Sequence, residues 1–488
     1  MSDLLVMKFG GTSMGSAARI RVAAEISAEQ NAKRPVVSVV SAMSKVTDLL
    51  LDSLRKAEAG DQNGLDENLK LLNTRHFDVC RELLPASRQE AALAGVHALI
   101  TEFSRIAKGM MMLGERPPRS IDEAIAIGER LTAFLLAEYL DSQGIPAAAV
   151  NAADVIATDA VFGNATPLMD HTRQRASKTL RKMLDEKILP VVTGFNGSTL
   201  DGRPTTLGRG GSDFSASIIA AALDASELWI WTDVDGIMTG DPRLISDAKV
   251  LDEVTYNEAA ELAYNGAKVL HPRTLAPLVE REIPVWSKNS FAPEKPGTKI
   301  VPSLAMKGAA HGPHAVTSMA DVVLVSIEPA NAVLSGTKVM ARALEALDRA
   351  NVEILAITSS SYRQTFCFLV RQSELGSVMD HLEESLSLEL AHGYLKPFDV
   401  DKDVGLIAVV GEGMKGTPGL AGRIFTAISK RDVNIIAIAQ GSSELTIAIV
   451  VRRMGLESAV KAIHQECGLG VEPQLETSER SPSGKSSD

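Results

Sequence analysis

The sequence predicts an α/β layered domain over residues 1–300, followed by two copies of a small α+β module. Three observations carry that expectation. Short apolar runs alternate with helical patterns through the first part of the chain, the mark of strands and helices in layers. The composition then shifts toward Pro, Gly and Ala at Phe291–Gly297 and Val301–Pro313, which reads as a linker. Beyond it the chain repeats itself: Asn351–Val370 aligns without gaps onto Asp432–Val451, a displacement of 81 residues.

The expected strands are Leu4–Phe9, Val36–Ser41, Leu189–Thr193, Leu228–Thr232 and Ile283–Lys288. Each is five or six residues long and apolar on both faces, as a strand buried in a parallel sheet must be. Ile127–Leu140 and Phe214–Leu223 have apolar positions at helical spacing, and the stretch from Leu49 to Ser120 reads as a helical insertion. In the repeated part each unit reads strand, helix, strand, strand, then a weaker helix at Leu375–Ser385 or Leu456–Glu466. The units are placed at residues 301–395 and 396–475, and part of the first unit's opening strand is expected to pair with the second. Residues 476–488 lack apolar content and are expected to be a disordered tail.

Lys plus Arg number 50 against 61 Asp plus Glu, a net charge of −11. That balance argues against a nucleic-acid or membrane-surface partner, and the 4% aromatic content offers few stacking platforms for single strands. No apolar run is long enough to cross a bilayer. The N-terminus has no basic region ahead of an apolar one, so no signal or transit peptide is expected. Cys80, Cys367 and Cys467 are widely spaced and odd in number, which points to packing roles in a reducing cytoplasm.

The chemistry-bearing motifs fall at strand ends. Lys8–Gly15 (KFGGTSMG) closes the first strand and opens a helix. Its glycines let backbone N–H groups approach a phosphate, the helix terminus adds positive potential, and Lys8 adds a full charge. It is not a Walker loop, because the lysine precedes the glycines. Thr205–Asp213 (TTLGRGGSD) is a second glycine-rich entry to a helix, with Arg209 suited to gripping a carboxylate or phosphate. Asp213 is read either as a helix cap or as a partner for cationic groups. Ser41–Thr47 and Thr232–Gly236, followed by Arg243, occupy the same carboxyl edge of the sheet, where open α/β sheets bind ligands. Gly411–Gly416 matches GxGxxG formally, but it lies inside the small repeated module, so NAD binding is not expected.

Taken with Gly128-Glu129-Arg130 and Gly266–Pro272 (GAKVLHP), these motifs closely resemble aspartate kinase, and the repeated modules resemble its paired ACT domains. The resemblance covers nearly the whole chain. It implies the amino-acid-kinase fold, an open α/β sandwich, followed by two ferredoxin-like ACT modules. It also implies ATP-dependent phosphorylation of the L-aspartate β-carboxylate with Mg²⁺, the first step toward lysine, threonine and methionine. At this length, the homoserine dehydrogenase of bifunctional relatives is not expected.

By the same resemblance Lys8, Gly10 and Gly11 contact phosphates, while Thr232, Asp233, Arg243, Lys268 and Val269 contact the nucleotide. Ser41 and Thr47 contact aspartate, Glu129 pairs with its ammonium, Arg209 grips a carboxylate, and Asp213 orders the catalytic groups. No protein metal ligand is assigned. Met238 stands where many members carry a tyrosine. Lysine, threonine or both are the implied effectors. The second module supplies Met414, Gln440, Ser442, Ser443 and Glu444, whereas the first lacks the corresponding Gln and Glu, so one effector site per chain is expected. Pairing of ACT sheet edges implies a homodimer or tetramer. Two other readings share the fold: another small-molecule kinase, acting on acetylglutamate, glutamate, carbamate or a nucleotide, and a non-catalytic amino-acid sensor.

Overall fold

A computed structural model describes residues 3–267, 270, 272–303, 312–330, 335–360 and 365–470. Lys268 and Val269, and the tail from residue 476, lie outside the described residues.

The first part of the chain forms strands β1 (Leu5–Phe9), β2 (Val36–Val40), β3 (Ala147–Val150), β4 (Leu189–Thr193), β5 (Asn196–Ser198), β6 (Pro204–Thr206), β7 (Glu227–Thr232), β8 (Glu253–Thr255), β9 (Val285–Asn289) and β10 (Thr298–Val301). Eight of them make one sheet in the order β3-β4-β2-β1-β7-β9-β10-β8, with β5 and β6 a separate hairpin. The six strands from β3 to β9 run parallel, and β10 returns antiparallel to β9. Five strands therefore stand within two residues of the spans the sequence predicts. The short strands β3, β5, β6, β8 and β10 are only three or four residues long, too short for a side-chain pattern to mark them as strands.

Strand β1 shows why apolar residues fill both faces. Leu5, Met7 and Phe9 enter the core on one side of the sheet, while Val6 enters the core on the other. The side-chain period of two sends alternate residues to opposite faces. Helices Val46–Glu58, Gln62–Leu83 and Ala86–Leu113 form the insertion and pack into the first core through Leu50, Leu72 and Phe103. Helix Gly211–Leu223 lies in the second core and is buried from Phe214 to its end, while Ser212 and Asp213 in its first turn are only part-buried.

The strand order reverses at β1, which has β2 on one side and β7 on the other. Such a switch point, at the carboxyl ends of the strands, is where open α/β sheets bind ligands. Ser41 N–H donates to the Phe9 carbonyl and Gly10 N–H to the Trp231 carbonyl, so the first loop is tied to both neighbours.

The second part is a six-stranded antiparallel sheet of β11 (Ala315–Ile327), β12 (Ala356–Ser359), β13 (Phe366–Arg371), β14 (Asp399–Val410), β15 (Ile435–Gln440) and β16 (Thr446–Arg452), in the order β12-β13-β11-β14-β16-β15. Strands β11 and β14 pair with each other along most of their length, with irregular register at Met319–Leu324. Each therefore passes through two cores. Val316 of β11 packs with Ile424 and Val460, whereas Val323 and Val325 pack with Val339, Phe366 and Val378.

The two parts are joined by polar contacts and by apolar packing, with Ala315, Ala408 and Val410 of the second part entering a core of the first. Ile245, from the loop after β7, sits in the core of the second repeat. Val316 N–H donates to the Thr239 carbonyl, and the Thr239 hydroxyl lies 3.0 Å from His464 Nε2. Helix Tyr256–Tyr264 starts in a capping box between Thr255 and Glu258, and the second Glu258 oxygen accepts the Glu412 N–H at 2.8 Å. His314 Nδ1 reaches the same oxygen at 2.7 Å.

Candidate active site

A cleft of about 390 Å³ opens at the carboxyl ends of β1 and β2, and Lys8, Gly11, Ser41, Thr47, Glu129, Arg209 and Asp213 line it together. Gly10, Thr232 and Asp233 stand beside it at the ends of β1 and β7. Arg243 is elsewhere. It lines a second cavity of about 240 Å³ with Gly236, Met238 and residues 316–318 of β11, and its guanidinium is held by Asp241 at 2.6 Å.

Each wall has a local cause. At the end of β1 the chain turns through Gly10 and Gly11 before Ser16 caps helix Ala17–Asn31. A Cβ on Gly11 would sit 3.1 Å from the Ala42 carbonyl, so the two loops approach closely only because no side chain intervenes. The contact is sealed by Ser44 N–H donating to the Gly11 carbonyl. Opposite, helix Gly211–Leu223 starts from Gly210, whose φ of 66° is left-handed. The turn leaves the first N–H groups of the helix facing the cleft, a ready anion site.

Asp213 is not the helix cap, since Gly210 occupies that position. Its carboxylate lies 2.6 Å from Lys8 Nζ, with both side chains mostly shielded from solvent. Of the two readings of Asp213, the ion pair is the one the geometry supports. Glu129 comes from the first turn of helix Ile127–Ser142 and is 3% exposed. One of its oxygens accepts the Ala42 N–H at 3.1 Å, and the other has no hydrogen-bond partner among the described residues. Burial pushes its carboxyl up to about 8, the Ala42 N–H only partly opposing it. A buried carboxyl with a vacant oxygen facing a cleft is suited to receive a cation.

Sequence reasoning did not single out Phe195, Lys45 or Asp48, which also line the cleft. It also passed over Asp122, buried beneath the Arg209 loop. The Asp122 carboxylate accepts from Gly163 N–H, Thr206 N–H and the Thr206 hydroxyl at 2.8–2.9 Å, and so fixes the strand that leads into Gly208–Gly211. One aspartate in a helical stretch gives no sign of such a role.

In the second repeat Met414, Gln440 and Glu444 line a cavity of about 160 Å³ together with Thr417 and Gly419. Glu444 accepts the Gly416 N–H at 2.7 Å, closing the turn over the loop. Ser442 and Ser443 lie on that loop but do not line the cavity, which departs from the expectation that both face it. The corresponding first-repeat segments, 331–334 and 361–364, lie outside the described residues.

The amino acid kinase family model matches residues 3–289, and an ACT domain model matches 407–467. The aspartokinase of Schizosaccharomyces pombe is 30% identical, over 95% of this chain and 92% of its own length. The chain belongs to the aspartokinase family. Escherichia coli aspartokinase III, in complex with aspartate and ADP, superposes with a TM-score of 0.79 at 29% identity, covering 95% of this chain and 99% of that one. A bifunctional aspartokinase/homoserine dehydrogenase of Arabidopsis thaliana is 33% identical over 94% of this chain but only 50% of its own length. This aspartokinase-family chain thus spans about half the length of the bifunctional relatives it matches. The fold expected from the sequence is the fold of the family.

Proposed function

We propose that the chain transfers the γ-phosphoryl group of ATP to the β-carboxylate of L-aspartate, giving 4-phospho-L-aspartate and ADP on the route to lysine, threonine and methionine. The observation that carries this reading is the cleft itself: a lysine and two glycine-rich helix entries for phosphates line the same cavity as a vacant buried glutamate and an arginine for an amino acid. The acceptor carboxylate is ionised at neutral pH, so no general base is needed. The work left to the protein is positioning and charge neutralisation.

Lys8 and the N–H groups after Gly10 and Gly210 stabilise charge on the transferring group. Asp213 holds Lys8 in place before the nucleotide arrives. Glu129 receives the substrate ammonium and Arg209 a carboxylate. Thr232, Asp233, Lys268 and Val269 belong to the nucleotide side. Arg243 serves there from the second cavity rather than from the cleft. No cluster of three potential metal ligands occurs among the described residues. Mg²⁺ would be held through the nucleotide's phosphates, whose charge it would neutralise.

Lysine or threonine bound at Met414, Gln440 and Glu444 regulates the reaction, and the ACT modules pair subunits in a homo-oligomer. A coupled assay for ADP release tests the reaction. L-Aspartate should support turnover, whereas L-glutamate, N-acetyl-L-glutamate and carbamate should not. ADP release with any of those in preference to L-aspartate would favour another kinase of the same fold, and none with any acceptor would favour a sensor.

A further inference from the structure

The helix Val46–Glu58 starts from an unusual residue. Lys45 occupies its N-cap with φ 63° and ψ 5°, a left-handed conformation, and its side chain caps nothing. Glycine adopts this region freely, and Asn or Asp with modest strain, whereas a long side chain is disfavoured there. Lysine is thus a poor choice for the backbone at this point, and its side chain needs another explanation.

The cleft supplies one through its charges. Three cations line it, Lys8, Lys45 and Arg209, and three carboxyl groups, Asp48, Glu129 and Asp213. Lys8 is already matched to Asp213. Glu129 is buried with one oxygen open, the place for an ammonium. Asp48 lies in the first turn of helix Val46–Glu58, where the helix dipole favours an anion. Lys45 and Arg209 remain, with no side-chain hydrogen bond or ion pair among the described residues, and both are exposed to the cleft. The segment that carries Lys45 is also the one whose Ala42 N–H binds Glu129, so it borders the ammonium position.

L-Aspartate carries one ammonium and two carboxylates. Glu129 accounts for the ammonium and Arg209 for one carboxylate, which leaves the second carboxylate without a cation. We propose that Lys45 is a substrate-binding residue that pairs with this second carboxylate. Its ammonium then selects a dicarboxylic amino acid over its amide or a monocarboxylic analogue. The inference rests on the reaction proposed above, because it is the aspartate skeleton that sets the count of charges.

Steady-state kinetics of the full chain and of Lys45→Gly test it, with L-aspartate and ATP varied separately and melting temperature measured in parallel. Glycine suits a left-handed position, so Lys45→Gly should melt no lower than the unaltered chain. Its KM for L-aspartate should rise about tenfold or more, the effect of losing one charge-assisted hydrogen bond, while its KM for ATP stays within about twofold. Lys45→Arg should recover most of the loss, since it restores the charge. An unchanged KM for L-aspartate in Lys45→Gly, or an equal rise for ATP, would overturn the assignment while leaving the reaction intact. Failure of the unaltered chain to release ADP with L-aspartate would remove the reaction itself, and the role of Lys45 with it.

Discussion

Lys8 Nζ lies 2.6 Å from the Asp213 carboxylate, joining the end of the first strand to the first turn of helix Gly211–Leu223 across the cleft. The pair holds the lysine at the phosphate position and keeps a cation in place where incoming anions must meet. Removing the lysine takes away one preorganised donor to the transferring group. Lys8→Ala should therefore lower kcat by about 10²–10³. Its melting temperature should move by only a few degrees, because the side chain faces the cleft rather than the core. Near-normal turnover in this variant would rule out a role for Lys8 in the chemistry.

Glu129 makes the reaction pH-dependent with a definite sign. Its carboxyl, pushed up to about 8 by burial, is mostly protonated at pH 7 in the empty site. A substrate ammonium favours the ionised form, so binding must expel a proton below pH 8. The KM for L-aspartate should fall as pH rises from about 6 to 8. Calorimetry in buffers of differing ionisation enthalpy should show proton release on binding. Glu129→Gln should abolish that release and raise the KM for L-aspartate far more than that for ATP. Equal rises in both would make the residue a structural one.

The cavity at Met414, Gln440 and Glu444 carries the regulatory expectation. Titration with lysine and with threonine should give a stoichiometry near one effector per chain. Gln440→Ala should weaken inhibition about tenfold or more and leave uninhibited turnover unchanged, since regulation requires a contact that differs between two states. Two independent sites per chain, or inhibition indifferent to this change, would contradict it.

The junction between the two parts has its own pH signature at His314 and Glu258. The Glu258 contact raises the His314 imidazole above its ordinary value against the opposing effect of burial. Burial pushes Glu258 up, but the His314 contact and the Thr255 and Glu412 N–H groups outweigh it, so this carboxyl is lowered overall. The glutamate's contribution is present above its unfolded value and lost in acid. The histidine's is present below its unfolded value and lost as pH rises through the raised one. Both are complete between about pH 4.5 and 6.5. His314→Ala should therefore lower the melting temperature by several degrees at pH 6 and by less at pH 9. An equal loss at pH 6 and pH 9 would show that the histidine acts through packing.

The strand-end motifs were legible because their chemistry is local. A lysine, two glycines and a helix start need only neighbouring residues to form an anion cradle, and β1 places them at the sheet edge. The repeat was legible for a related reason: two segments with the same apolar spacing make the same strands and helices, as Leu375–Ser385 and Leu456–Glu466 do. Other parts were not legible. Asp122 gives no local sign that it will hold the Thr206 strand, because its three donors come from segments far along the chain. Arg243 follows a strand-end motif, yet it faces the second cavity because the loop carrying it is drawn toward the second repeat by Ile245.

By itself the sequence determined the layered fold, the two repeats, the strand-end loops and the residue types that meet a phosphate and an amino acid, since periodicity and turn chemistry are properties of short segments. Only the tertiary structure decided which of those residues meet. It paired Lys8 with Asp213, isolated one oxygen of Glu129, turned Lys45 into the cleft on a left-handed backbone, and threaded β11 and β14 through two cores. Those outcomes depend on strand order and on the packing of distant segments, and burial and charge pairing take their values only once that packing is complete.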